Sequence, residues 1–281
     1  MRARAPASSA NLGPGYDALA LALGLHCEVT VEPAARLELT SEGEGAGLPL
    51  DAGHLAARVV RLVLGHDDVA IHVRSEIPVA RGLGSSGALA LAAAAAAGAA
   101  EPLALAVGTE GHAENAAASL LGGLVAAAEI GGRPVARRLP LDPRLSFVVV
   151  VPERELATTA ARAVLPERVP LADAVFNLGR MGLLVAGLGD AAGLVGEAGE
   201  DRLHQDARSA LFPEAPELLG RLRGAGAAIA TWSGAGPSLL AVSTGEGAGA
   251  LAEAGERALE AVGLAGRVLR LAADLEGLVV G

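Results

Sequence analysis

The stretch from Pro78 to Ala88, PVARGLGSSGA, has the residue types that hold an anion. Gly82, Gly84 and Gly87 surround the pair Ser85-Ser86, and the alanine-rich run that follows has the highest helix propensity in the chain. A glycine loop that opens a helix offers unpaired backbone N–H groups and the positive end of the helix dipole, and glycines let an anion come close to the backbone. A phosphate fits those terms. A Walker A loop is excluded, because GxxxxGK[ST] needs a lysine and all 22 basic residues are arginine. The dinucleotide fingerprint GxGxxG is excluded as well, since the serine pair interrupts its spacing and no strand ending in an acid follows. For this segment alone, a plain capped turn stays open as the other reading.

Positioning such a loop requires a strand before it and a helix after it, and the flanking sequence supplies both. VAIHVRSEIP alternates as a half-buried strand, and ALALAAAAAA continues as a buried helix. Upstream, strands are expected at 2–5 and 25–39, and the span PASSANLGPG before Tyr16-Asp17 has the composition of a loop. Asn11 and Asp17 there suit a polar ligand, although singly each also suits a turn. His54 to Leu64 has helical spacing, and a helix is expected from Leu103 to about Leu121, carrying Glu110, His112, Glu114 and Asn115. LVAAAEI and RPVARRL, joined by Gly131-Gly132, read as a hairpin. Pro140 to Pro143 is the expected domain boundary, dividing 1–143 from 144–281. Beyond it come a buried strand FVVVVP, a long helix from Val169, a helical stretch broken at Pro213, strand–glycine turn–strand around Trp232, a helix and a closing strand. That order predicts an α+β second half with a split βαβ layout.

Composition narrows the partners. At 281 residues with 52% hydrophobic and 19% charged, the chain is globular and can bury a sizeable core. A net charge of −10 argues against general affinity for nucleic acid or anionic membranes, so a phosphate must be attracted locally. The one cysteine, Cys27, permits no intramolecular disulfide and no multi-cysteine metal site, as suits a reducing cytoplasm. No secretory segment is expected, and the apolar run 88–100 is too short to span a bilayer.

Three segments taken together, PASSANLGPGYD (6–17), PVARGLGSSGA (78–88) and WSGAGPSL (232–239), resemble the signature motifs of the GHMP kinases. EGHAENAAASLLGG, TTAARAVLPERVPLADAVFNLGR and EDRLHQDARSALFP are similar to the homoserine-phosphorylating branch of that family. The resemblance implies an α+β two-domain fold, with an N-terminal α+β domain, a C-terminal ferredoxin-like domain and the active site in the cleft between them. It implies ATP held by Pro78, Ala80, Arg81, Gly82, Leu83, Gly84, Ser85, Ser86 and Gly87, with Mg²⁺ on Ser86 and Glu110. Asn11, Asp17, His112, Asn115, Thr158, Arg162, Arg208 and Gly234 would hold L-homoserine, and Ser86, Glu110 and Asn115 would serve the transfer itself. A cytoplasmic homodimer is implied as well. The substrate's carboxylate suits arginines and its ammonium suits an acid. Ordinary surface arginines remain the other reading of Arg162 and Arg208, and another small-molecule kinase of the family, or a silent ligand-binding relative, remains the alternative function.

Two positions depart from the family pattern. His-x-Asp-Asn appears as His112-Ala113-Glu114-Asn115, and Asn-Leu appears as His54-Leu55. The first leaves open whether a general base exists, with Glu114 and Asp17 as candidates and Asp17 preferred as ammonium partner. The second leaves the adenine contact open.

Overall fold

Alternation and apolar runs resolve into two sheets in the computed structural model, which describes residues 1–281. The elements are β1 (Arg2–Ala10), β2 (Leu19–Pro33), β3 (Glu38–Gly43), α1 (Leu55–Leu64), β4 (Val69–Ser75), α2 (Ser85–Ala96), α3 (Pro102–Glu110), α4 (Glu114–Leu121), β5 (Leu124–Ile130) and β6 (Arg133–Leu139). Then follow β7 (Leu145–Pro152), α5 (Thr158–Ala163), α6 (Leu171–Gly189), α7 (Gln205–Arg208), α8 (Ala215–Gly224), β8 (Ile229–Trp232), β9 (Leu239–Thr244), α9 (Ala248–Ala261), β10 (Gly266–Leu271) and β11 (Val279–Val280).

The first sheet runs β11-β1-β2-β4-β3, and β5 with β6 continues from the other half of the long β2. Three expectations change here. The strand at 2–5 continues to Ala10, because Ala7, Ser8, Ser9 and Ala10 are small enough to lie buried beneath the helices. The pattern at 25–39 is two strands, broken at Pro33, and the second pairs parallel with β4. The single helix expected up to Leu121 is two, since Gly111 takes a left-handed backbone (φ 82°) and caps α3. That break puts Glu110 at the end of one helix and Glu114 at the start of the next.

Helix α2 is apolar on every side and is buried against β1, β2, α1, α3 and α4. Its alanines allow this close packing. The hairpin turns at Gly131-Gly132 with φ of 62° and 74°, the double left-handed turn that matches strand twist.

The second sheet is antiparallel in the order β10-β7-β9-β8. With helices between β7 and β8 and between β9 and β10, this is the ferredoxin-like arrangement. Residues of β7 alternate between two buried faces: Val148 and Val150 meet α8 and α9, whereas Phe147, Val149 and Val151 join the large core that also holds Leu12, Leu21 and Leu184 of α6. Burial on both faces explains why FVVVVP shows no polar alternation. The sheets change over between β6 and β7, and the last residues return to the first sheet, where Val280 pairs with Ala3 and Val279 with Arg4. Helix α6, 19 residues long, is long and apolar enough to cross a bilayer by composition, yet it buries Leu184 and Leu188 in the core and exposes Leu171, Val175 and Leu178.

Candidate active site

Where the two sheets meet, a cavity of about 610 Å³ opens, within the size range of small-molecule sites. Its wall carries every residue singled out from the sequence: Asn11, Asp17, the segment 78–87, Glu110, His112, Asn115, Thr158, Arg162, Arg208 and Gly234. Glu114 lies on the same wall. So do Leu48, Pro49, His54, Leu55, Val73 and Ser75. The stretch 43–53 contributes several of these residues, and its glycine-rich composition does not tell a linker from a cavity wall.

The glycine loop enters α2 through Gly84, which has φ 67° and no side chain capping the helix. The first N–H groups of α2 therefore have no partner of the helix's own, the condition for an anion site. Gly82 and Gly84 are glycine for a second reason. A Cβ on Gly82 would lie 2.2 Å from the Ser233 carbonyl oxygen, and one on Gly84 would lie 2.1 Å from Ser8 Oγ. Ser233 Oγ donates to the Gly82 carbonyl at 2.7 Å, and Ser8 N donates to the Leu83 carbonyl at 3.1 Å. The three motifs thus hold one another, the outer two clamping the central loop.

Ser86 Oγ donates a hydrogen bond to Glu110 Oε2. These are two hard oxygen ligands beside an anion site. No cluster of three or more carboxylate, histidine or cysteine side chains could hold a metal alone. The pair therefore suits Mg²⁺ brought with a nucleotide, since that ion keeps phosphate and water oxygens beside one or two protein ligands.

Other residues behave differently from their expected roles. Arg81 turns away from the loop: its Nε donates to the Pro152 carbonyl at 3.1 Å, its Nη1 to the Val79 carbonyl at 3.1 Å, and it faces Glu155 at 3.5 Å. Its guanidinium braces the end of β7. Leu83 is buried in the core. Asn11 spends its amide on the fold, donating from Nδ2 to the Gly234 carbonyl at 2.9 Å and accepting from Asp17 N at 3.0 Å. It shapes the loop. Both Asn11 (φ 72°) and Asp17 (φ 53°) are left-handed, a conformation these two residue types tolerate.

Asp17 and Arg162 form a two-pronged ion pair, with Nη2 to Oδ1 at 2.8 Å and Nη1 to Oδ2 at 2.9 Å. Hydrogen bonding to Asp17 pushes the arginine's pKa up. Arg208 is the contrast: 2% exposed, it has no carboxylate within ion-pair distance. Its Nη1 donates to the Gly234 carbonyl at 2.8 Å and to His204 Nδ1 at 2.9 Å, and its guanidinium lies 5.5 Å from the Tyr16 ring centre. Burial pushes its pKa down, so the charge is held at a cost that an anion would relieve.

Glu114 is 2% exposed; its Oε1 accepts from Asn115 Nδ2 at 3.2 Å, while its Oε2 is buried with no partner. Burial pushes its pKa up, against the lowering effect of His112. Asn115 Oδ1 in turn accepts from Ser8 Oγ at 2.8 Å. His112 Nδ1 donates to the Glu110 carbonyl at 2.8 Å. Cys27 also lines the cavity, but burial pushes its thiol up to about 12 and keeps it inert.

Comparison with known proteins follows the same lines. The family described as "GHMP kinases N terminal domain" matches residues 54–132. A homoserine kinase of Moorella thermoacetica is 41% identical over 258 residues, 86% of this chain and 87% of its own. Another, of Clavibacter michiganensis subsp. michiganensis, is 39% identical over 298 residues, covering 100% of this chain and 93% of its own. Among solved structures, homoserine kinase from Cytophaga hutchinsonii superposes with a TM-score of 0.87 at 27% identity, over 100% of this chain and 97% of that one. The L. major mevalonate kinase complex with R-mevalonate shares the fold alone, with a TM-score of 0.70 at 14% identity, over 99% and 96%. Likeness this high along so much of the chain, with the three motifs meeting at one cavity, settles the family: the chain belongs to the GHMP kinases and groups with their homoserine kinases.

Proposed function

We propose that this chain transfers the γ-phosphoryl group of ATP to the side-chain hydroxyl of L-homoserine, giving O-phospho-L-homoserine for threonine synthesis. One observation carries the substrate assignment. Arg208 is a buried guanidinium without a carboxylate, set against the Asp17–Arg162 pair on one cavity wall. A zwitterion placed there meets cations for its carboxylate and an acid for its ammonium. Mevalonate and galactose have no ammonium to meet Asp17.

Phosphoryl transfer depends mainly on positioning and on neutralising charge. The backbone N–H groups from Gly82 to Ser86 hold the phosphates, with the α2 dipole behind them. Ser86 and Glu110 would hold Mg²⁺, which when bound neutralises phosphate charge. Asn115, fixed through Ser8, faces the substrate hydroxyl. His112, Thr158 and Gly234 complete the substrate wall. Leu48, Pro49 and Leu55 supply apolar surface for the base, beside the imidazole of His54. The division into 1–143 and 144–281 is our reading, with Val279 and Val280 pairing back onto the first sheet. Cytoplasmic location and a homodimer belong to the same reading, and the exposed Leu171, Val175 and Leu178 of α6 are apolar surface that self-association would cover.

An ADP-release assay with homoserine, mevalonate and galactose tests this. Turnover with homoserine far above the other two is expected; preference for either of the others overturns the assignment.

A further inference from the structure

His204 is 1% exposed and touches the site only through its neighbours. Its two ring nitrogens face partners of opposite kind. Nε2 lies 2.8 Å from the Gly13 carbonyl, which only accepts, and Nδ1 lies 2.9 Å from Arg208 Nη1, which only donates. One protonation state satisfies both: the neutral ring with its proton on Nε2. Burial holds its pKa down at about 4, so this is the form present at neutral pH.

The nearby carboxylate of Asp201 is already engaged. Asp201 Oδ2 is 3.7 Å from His204 Nε2, but its oxygens accept from the backbone N–H groups of Leu203, His204 and Gln205 and from Asn177 Nδ2 at 2.7 Å. It caps α7 and fixes the backbone of His204. Tyr16 lies over the imidazole with ring centres 5.2 Å apart. The ring is held from every side.

We propose that His204 is the positioning residue for Arg208: its Nδ1 and the Gly234 carbonyl take both hydrogens of Nη1, which aims Nη2 at the cavity to receive the substrate carboxylate. Arg208 Nη2 makes no hydrogen bond within the chain, whereas Nε has only a long contact of 3.5 Å to the Ala161 carbonyl. Protonation at Nδ1, or its loss, would free the guanidinium to turn. The inference rests on the proposed homoserine activity.

Two amide substitutions separate the two ring nitrogens. His204→Asn puts an oxygen where Nδ1 stands and loses the donor to Gly13; His204→Gln puts an N–H where Nε2 stands and loses the acceptor for Arg208. With His204→Gln the KM for homoserine should rise about tenfold, the KM for ATP should stay within about twofold, and His204→Asn should stay near native. In an Arg208→Ala background, His204→Gln should add nothing further to the homoserine KM. The idea is overturned if Asn is the worse variant, which would mean that His204 acts through the Gly13 loop. It is equally overturned if both variants match the native protein, or if both raise the two KM values together with a lowered Tm. Absence of homoserine turnover in the native protein would instead remove the functional proposal, a separate result.

Discussion

Replacing Arg208 by methionine should separate binding from stability. The side chain is 2% exposed and lacks a carboxylate partner, so its charge is held inside against an effective desolvation penalty of several kcal/mol. Methionine keeps most of the apolar stem and relieves that penalty. Against this, His204 Nδ1 is left without its donor, a cost of about 1–3 kcal/mol, while the Gly234 carbonyl keeps Asn11. The two effects oppose, and stability should change by no more than about 2 kcal/mol in either direction. Binding has no such offset. Loss of a charge-assisted hydrogen bond to the substrate carboxylate removes about 1.5–3 kcal/mol, so the KM for homoserine should rise about 10- to 150-fold. Steady-state kinetics with each substrate varied in turn, beside urea unfolding, gives both quantities. A homoserine KM within twofold of native, or an ATP KM rising in parallel, would refute the carboxylate assignment.

Glu110→Gln should lower turnover by orders of magnitude and weaken the Mg²⁺ dependence while leaving the unfolding midpoint in place, because the Ser86–Glu110 contact is partly exposed; normal turnover would make Glu110 a solvated helix residue. Gly84→Ala should lower Tm, since the new Cβ meets Ser8 Oγ at 2.1 Å, and adding Ser8→Ala should recover part of the loss, the remainder being the roughly 1–2 kcal/mol of the left-handed backbone and the 3.0 Å approach to Asn115 Oδ1. A double variant no better than the single one would show that the contact is not the cause. Glu114 gives a pH signature. Its folded pKa is raised by burial above the ordinary 4.5, so its own contribution to stability is whole below pH 4.5 and declines as pH rises towards the folded value. Glu114→Gln lacks that decline, and its stability relative to native should increase from pH 4 to pH 8 in urea titrations; a difference flat with pH would mean that the carboxyl is ordinary.

Much of the site was legible because its chemistry is local. A helix N-terminus is formed by adjacent residues, so PVARGLGSSGA followed by alanines reads as a candidate anion site without a fold around it. The strong periodicities at 55–64, 69–75 and 248–261 likewise report single elements, each with one buried face. Less legible were β1, whose buried half is built of alanine and serine and so lacks the apolar alternation of a strand, and the break at Gly111, hidden in an otherwise helical pattern.

Contacts between distant segments were decided by the tertiary structure alone. Sequence type made Arg81, Arg162 and Arg208 equivalent arginines, but packing turned the first to the Pro152 carbonyl, paired the second with Asp17 and buried the third beside His204. Side-chain identity sets what a group can donate or accept; its free energy depends on which partners and how much water the fold leaves it. The same holds for Gly84, whose missing Cβ is required by Ser8, a residue on another strand. The sequence by itself determined a glycine loop opening a helix and a set of candidate ligands, because those are properties of neighbouring residues, whereas which arginine faces a carboxylate was decided only when segments around residues 11, 162, 204 and 234 came together.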